Sequence, residues 1–98
     1  MPFTLMGLCD YREDVRKSRF LALAAPVASA AEAQAFIAAH SDTSASHNCW
    51  AWKVGQHCRF NDDGEPTGTA GRPILAAIEA QAMDHVAVLV TRWYGGIQ

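Results

Sequence analysis

The stretch HVAVLVTRWYGGI, residues 85–97, contains an unbroken apolar run from Val86 to Val90. An apolar run of this length, without polar alternation, predicts a β-strand that is buried on both of its faces.

Hydrophobic periodicity and turn residues predict six further elements upstream of that strand. Strands are expected at FTLMGL (3–8), SRFLALAAP (18–26), HNCWAWKV (47–54) and HCRF (57–60), with the charged segment DYREDVRK as a turn after the first strand. Helices are expected at SAAEAQAFIAAH (29–40), which opens with a capping box of Ser29 and Glu32, and at PILAAIEAQAM (73–83). This order predicts an α+β fold in two layers, a sheet with both helices on one face.

Length and composition favour a single small domain that spans residues 1–98. Half of the residues are apolar and the formal net charge is -2, a balance typical of a globular domain rather than a disordered or polycationic chain. The sequence has no apolar run of membrane-spanning length and no signal peptide pattern, so we expect a cytoplasmic protein. Three cysteines without a C-x-x-C spacing predict reduced thiols.

The segment NDDGEPTGTAGRP, residues 61–73, joins a predicted strand to a predicted helix and admits three interpretations. It is a shaped turn if its acidic residues only cap and turn the chain. It is a phosphate cradle if the backbone N–H groups of Gly68 to Arg72 face a ligand, because the start of a helix attracts anions. It is a Mg²⁺ site if Asp62, Asp63 and Glu65 supply carboxylate oxygens.

We expect this segment to be a shaped loop whose carboxylates face an open cleft beside two arginines. The predicted ligand-binding residues are Asp62, Asp63, Glu65, Gly68, Thr69, Gly71, Arg72 and Arg92. Opposite charges held in this way suit a ligand of mixed charge, such as a nucleotide with its Mg²⁺.

Two further groups of residues are candidates for chemistry. His47 and Cys49 lie two apart on one predicted strand face, where an imidazole can activate a thiol, although a strand cysteine beside tryptophans also suits a core position. A basic patch is expected if Lys17 and Arg19 approach Arg72 and Arg92, and scattered surface charge is the alternative. Aromatic side chains in TRWYGG, residues 91–96, can stack on a nucleobase.

Four motifs occur in a fixed order along the chain: KSRF, HNCWAW, DDGEPTGTAGRPIL and VTRWYGGI. Together they closely resemble the IMPACT family, which includes the YigZ-like bacterial proteins. The resemblance implies the fold shared by the second domain of ribosomal protein S-five, the fourth domain of elongation factor G and the GHMP kinases. Trp52 and Thr67 depart from the family pattern, in which a tyrosine and a serine are usual.

The resemblance implies a regulatory or binding module that contacts RNA, a phosphate-bearing ligand, the ribosome or a translation-associated protein. A Mg²⁺-dependent enzyme acting on a phosphorylated small molecule or nucleotide is the alternative. Family members continue beyond the position of Gln98 into a further glycine-rich segment and a helix, and bacterial ones add a ferredoxin-like domain. We therefore expect an exposed sheet edge and self-association of this chain.

Overall fold

A computed structural model of the protein describes residues 5–94, which form one sheet and two helices. The elements in chain order are β1 (Cys9–Val15), β2 (Ser18–Pro26), α1 (Ala30–His40), β3 (His47–Val54), β4 (His57–Asn61), α2 (Gly71–Ala80) and β5 (Val86–Tyr94). The predicted α+β class is confirmed. The likeness to the second domain of ribosomal protein S-five stays a prediction.

The sheet has the strand order β1-β2-β5-β3-β4, and each neighbouring pair is antiparallel. The apolar strand β5 is therefore the middle strand, and this position accounts for the burial that its unbroken hydrophobic run predicted. Val86, Ala87 and Leu89 are fully buried there, and Val90 pairs with Ala22 of β2 and with Cys49 of β3. This register places the C-terminal end of β5 beside the beginnings of β2 and β3, where the candidate site lies.

The two helices lie on opposite faces of the sheet, so the prediction that they share one face is wrong. Side chains alternate between the two faces along a strand. Trp52 of β3 packs in the core cluster that includes Ile37 of α1, whereas its neighbour Ala51 packs in the cluster that includes Ile78 of α2. Apolar residues on both faces of β3 and β5 require a cover on each side, which gives three layers.

The first strand is also displaced from its predicted position. The described part of FTLMGL, residues 5–8, contains no strand, and the charged segment predicted as a turn forms β1 instead. Every residue of β1 is exposed, and this strand lies at the edge of the described sheet, beside β2. Such a strand has no buried face, so hydrophobic alternation could not reveal it.

The remaining elements follow their sequence signals closely. Ser29 caps α1, since its Oγ accepts a hydrogen bond from the Glu32 N–H at 3.1 Å while Glu32 accepts one from the Ala28 N–H at 2.9 Å. This is the predicted capping box. β2 and β3 have the predicted bounds, and β3 and β4 form the predicted hairpin. Within residues 5–94, neither helix has the length and apolar character needed to cross a membrane.

Candidate functional site

The central loop is organised by the carboxylate of Asp62, which lies just after β4. Its Oδ1 accepts hydrogen bonds from the N–H groups of Ala70 at 3.1 Å and Gly71 at 2.7 Å, and its Oδ2 accepts one from Gly68 at 2.9 Å. Ala70 is the residue that caps α2 and has no side-chain oxygen to do so. Asp62 therefore supplies the missing cap from eight residues upstream.

We call this arrangement, Asp62 with residues 68–71, the Asp62 turn. The hydrogen bonds from Gly68 and then Gly71 hold the pKa of the Asp62 carboxyl below its usual range, and the nearby Arg72 adds to this effect. The backbone N–H groups that were predicted to cradle a phosphate thus already bind an internal anion. The start of α2 is closed to an external phosphate unless Asp62 moves away.

Close backbone packing completes the Asp62 turn. A Cβ built on Gly71 would lie 2.6 Å from the carbonyl oxygen of Asn61 and 2.7 Å from its nitrogen, so only glycine fits there. Gly68 has a φ of +79°, in the left-handed region. Both predicted site glycines are therefore explained by the shape of the loop.

Asp63 also faces the protein rather than an open cleft. Its Oδ2 accepts a hydrogen bond from the Asn48 N–H at 2.6 Å, and its carbonyl oxygen accepts one from Nδ1 of His47 at 2.7 Å. The residue adopts a φ of 45°, a left-handed conformation that aspartate tolerates better than most side chains. Asp63 thereby fastens the loop to the start of β3.

Glu65 is the one acidic residue of the loop that reaches across to the middle of the sheet. Its Oε2 lies 2.9 Å from Nη1 of Arg92, and its Oε1 lies 3.9 Å from Nε2 of His47. The side chains of Glu65 and Arg92 are 13% and 28% exposed, so this ion pair is partly shielded from water. A shielded pair holds its geometry more firmly than one at the surface.

Aromatic rings surround the guanidinium group of Arg92. Its Cζ lies 4.4 Å from the ring centre of Tyr94 and 5.4 Å from that of Phe20, and its Nε donates to Ser18 Oγ at 3.3 Å. His47 meets the ring of Tyr94 edge to face, with 5.8 Å between the ring centres. We call these residues, Phe20, His47, Glu65, Arg92 and Tyr94, the Arg92 cluster.

The Arg92 cluster borders an open cavity of about 380 Å³. Phe20, Glu65 and Arg92 line this cavity, and Thr69, Cys49 and Val90 form other parts of its wall. Of the eight predicted ligand-binding residues, the structure brings three to the cavity: Glu65, Thr69 and Arg92. The other five support the loop or face elsewhere.

The predicted activation of Cys49 by His47 is not supported by the geometry. Nδ1 of His47 donates to Asp63, its Nε2 faces Tyr94 and Glu65, and Cys49 Sγ donates to the Asp62 carbonyl at 3.1 Å. Burial, together with the negative charges of Glu65 and its acidic neighbours, raises the pKa of the Cys49 thiol to about 11. A nucleophilic thiol needs the opposite shift.

The predicted basic patch does not assemble either. Arg92 is paired across the sheet with Phe20, whereas Arg19 pairs with Trp93 and so projects from the other face. Arg19 lies 3.6 Å from Asp14, and Lys17 is exposed in the turn that joins β1 to β2. Arg72 lies over the ring of Phe60 at 5.3 Å, on the β4 side of α2.

A metal site is not formed by the loop carboxylates in the part of the chain that the structure describes. Residues 5–94 contain no group of three or more His, Cys, Asp or Glu side chains arranged to hold an ion. Asp62 is turned to the backbone of α2, Asp63 to β3 and Glu65 to Arg92. The three residues are adjacent in sequence but point in different directions.

Ser18 and Phe20 were missed as contributors to the site. They lie on the strand next to β5, and Phe20 is directly opposite Arg92 in the register. Neither residue carries a motif, and only the pairing of β2 with β5 brings them to the arginine. The strand alternation would have placed both on one face once that pairing was known.

Comparison with known proteins identifies the family of this α+β domain. The family model described as the Impact N-terminal domain matches residues 16–98. A solved structure described as that of a hypothetical protein shares the fold, with a TM-score of 0.87 and 36% identity, covering 97% of this chain and 50% of that one.

Three bacterial relatives agree with this assignment. An IMPACT family member of Thermus thermophilus is 55% identical over 84 residues, YigZ of Escherichia coli is 40% identical over 94, and YvyE of Bacillus subtilis is 36% identical over 101. The alignments cover 86%, 87% and 98% of this chain and 46%, 45% and 46% of the relatives. The chain belongs to the IMPACT family, and it spans about half the length of these relatives.

Proposed function

We propose that this domain is a binding module linked to translation and that it contacts single-stranded RNA at the Arg92 cluster. The observation that carries the proposal is the contact of the Arg92 guanidinium with the rings of Phe20 and Tyr94 at the edge of an open cavity. Proteins bind single strands by stacking bases on aromatic rings beside positive charges. The link to translation comes from the IMPACT family resemblance.

Tyr94 and Arg92 have complementary parts in this proposal. The Tyr94 side chain belongs to a residue that is 58% exposed, so its ring has a surface on which a base can stack. Among the described residues, Arg92 forms its hydrogen bonds through Nε and Nη1, which leaves Nη2 to donate to a phosphate oxygen. Glu65 fixes the direction of the guanidinium but also offsets its charge, so we expect weak binding.

Binding is favoured over catalysis because the groups that an enzyme would use are already engaged. Asp62 holds three backbone N–H groups and Glu65 holds Arg92. The Cys49 thiol has a raised pKa. The alternative of a Mg²⁺-dependent enzyme stays a prediction without a supporting arrangement in residues 5–94.

The test is a titration of fluorescein-labelled decauridine with the protein, followed by fluorescence anisotropy. Tyr94→Ala should weaken binding by about 1–3 kcal/mol, the contribution of stacking one base. Tyr11→Ala is the matched control, because Tyr11 is a similarly exposed tyrosine of β1, 63% exposed, outside the cluster. The logarithm of the affinity should fall with the logarithm of salt concentration with a slope of about -0.7 for each phosphate contacted.

Two results would contradict RNA binding at this site. One is an anisotropy that does not change with the parent protein, in which case a phosphate-bearing ligand and a protein of the translation machinery are the ligand classes left in the family hypothesis. The other is binding that Tyr94→Ala and Tyr11→Ala weaken equally, because that pattern indicates general surface attraction rather than stacking at Tyr94.

A further inference from the structure

A second and larger cavity lies along the edge strand β4. It has no role in the proposed function. It has a volume of about 780 Å³, and its wall includes residues 57–61 of β4, Trp50, Trp52 and Leu75 together with the first turn of α1. We call it the β4 groove. Its wall is mostly apolar, with Arg59 and His57 as exposed basic groups.

β4 has an unpaired edge within the described sheet, because β3 is its single neighbour there. The two-residue turn Gly55–Gln56 joins Val54 to His57, and a pair that flanks such a turn is hydrogen-bonded. The alternation of an antiparallel ladder then directs the backbone N–H and C=O groups of Cys58 and Phe60 away from β3. These groups are available to an added strand.

The other edge strand lacks this character. β1 has the sequence CDYREDV, in which four of seven residues are charged, and charged side chains protect an edge strand against strand addition. β4 has the sequence HCRFN, with Arg59 as its single permanent charge. Of the two described edges, β4 is therefore the one suited to strand addition, and it also adjoins a cavity.

The charge of the β4 groove indicates which kind of peptide can bind there as an added strand. The chain has a formal net charge of -2, yet the wall of the groove contains no carboxylate and does contain Arg59 and His57. Trp52, 3% exposed, lies in the same wall, and its indole N–H is a buried side-chain donor without a hydrogen-bond partner among residues 5–94. An acidic side chain or a carbonyl group brought into the groove would complement both features.

We propose that an extended acidic peptide of a partner protein binds to β4 by strand addition. Its backbone pairs with Cys58 and Phe60. Its acidic side chains lie on the same face of the sheet as Arg59, and its alternate apolar side chains lie on the other face beside Phe60 and Leu75. Main-chain hydrogen bonds supply affinity in this binding mode, and the pockets for alternate side chains supply specificity. The proposal does not depend on RNA binding, because Arg92 and Arg59 belong to different parts of the sheet.

The first experiment is an NMR titration of the ¹⁵N-labelled 98-residue chain with the acetylated and amidated hexapeptide EVDVEF. We expect the largest amide shifts at Cys58 and Phe60 and a shift of the Trp52 indole N–H, while β1 stays unchanged. The hexapeptide KVKVKF is the matched control. It should bind about twofold to fivefold more weakly for each ion pair lost at the surface.

Two substitutions at one position separate strand addition from side-chain contact. Cys58→Pro removes the outward N–H group without removing a bond to β3, and an edge strand tolerates proline at such a position. We expect Cys58→Pro to weaken EVDVEF binding by about tenfold or more, whereas Cys58→Ala retains the affinity of the parent. The amide spectrum of α2 and β5 reports whether each variant is folded.

Three outcomes overturn the proposal. Equal affinity of folded Cys58→Pro and Cys58→Ala excludes pairing with the backbone of β4. Peptide shifts that map to β1 place strand addition at the wrong edge. Sedimentation that shows a dimer of the parent chain, dissociated by Cys58→Pro, makes a second copy the occupant of the edge instead of an acidic peptide. If Cys58→Pro does not fold, the test rests on the peptide-induced amide shifts of the parent chain, which must map to Cys58 and Phe60 for the proposal to stand.

Discussion

The Asp62 turn and the Arg92 cluster use two carboxylates of one loop in opposite ways. Asp62 binds backbone N–H groups six to nine residues ahead of it, so its partners belong to the same loop and to the helix that follows. Glu65 binds the side chain of Arg92, 27 residues further along the chain. Local partners make Asp62 a structural residue, while the distant partner joins Glu65 to an open cavity.

The largest expected effect comes from breaking the Asp62 turn. Asp62→Ala should lower the midpoint of thermal unfolding by about 5–10 °C, because one N–H group of the loop and two at the start of α2 lose their acceptor. Asp62→Asn keeps one oxygen acceptor, so its midpoint should lie between those of Asp62→Ala and the parent. Asp10→Ala, which alters an exposed aspartate of β1, is the control and should change the midpoint little. Equal midpoints for Asp62→Ala and Asp10→Ala would show that the turn does not depend on the carboxylate.

The pH dependence of the same variants gives an independent check on the Asp62 turn. The folded pKa of Asp62 is lowered, so its stabilising effect is fully present above the unfolded pKa of about 4 and is lost as the pH falls through the folded pKa. The stability difference between parent and Asp62→Asn should therefore shrink below about pH 4. A difference that stays constant down to pH 2 would contradict the lowered pKa.

A smaller effect is expected from breaking the ion pair of the Arg92 cluster. A double-mutant cycle of Glu65→Gln and Arg92→Gln should give a coupling energy of about 1–2 kcal/mol, since the pair is partly shielded and 2.9 Å apart. The control cycle uses Asp14→Asn and Arg19→Gln, a pair at 3.6 Å whose side chains are 74–75% exposed. Its coupling should be indistinguishable from zero. Equal coupling energies in the two cycles would show that Glu65 positions Arg92 no more firmly than Asp14 positions the surface residue Arg19.

The fold was predictable where burial leaves a pattern in the sequence. The run from Val86 to Val90 predicted a strand buried on both faces, and Ser29 with Glu32 predicted the start of α1. The edge strand β1 leaves no such pattern because all of its residues are exposed. The faces occupied by the helices were also mispredicted, since both faces of β3 are apolar and element order alone does not assign a helix to either face.

The site was predictable only in part, because residue types show which groups can bind but not which groups they bind. The sequence identified Glu65 and Arg92, but it grouped Asp62 and Asp63 with them as if neighbouring carboxylates shared one ligand. The left-handed conformation of Asp63 turns its side chain towards β3, and the start of α2 captures Asp62. Pairing between strands, which a single sequence does not encode locally, brings Phe20 to Arg92.

Cys49 lies between the two regions and offers the smallest but most local test of their difference. Its Sγ donates to the Asp62 carbonyl at 3.1 Å, and its side chain borders the cavity beside Glu65 and Arg92. Burial is the first cause of its raised pKa, and the charge of Glu65 is the second. Loss of packing should therefore increase thiol reactivity more than loss of the Glu65 charge does.

Alkylation by iodoacetamide in the folded protein, followed by mass spectrometry of cysteine peptides, measures this reactivity. At pH 8 we expect Cys49 to react about tenfold or more slowly than the exposed Cys58, because only the thiolate is nucleophilic and its pKa is raised to about 11. Glu65→Gln should increase the alkylation rate of Cys49 slightly, since it removes one repelling charge but leaves the thiol buried. Asp62→Ala should increase this rate much more, since the substitution releases the loop that covers the thiol. The reverse order would mean that the charge of Glu65, rather than burial under the loop, is the main cause of the low reactivity of Cys49.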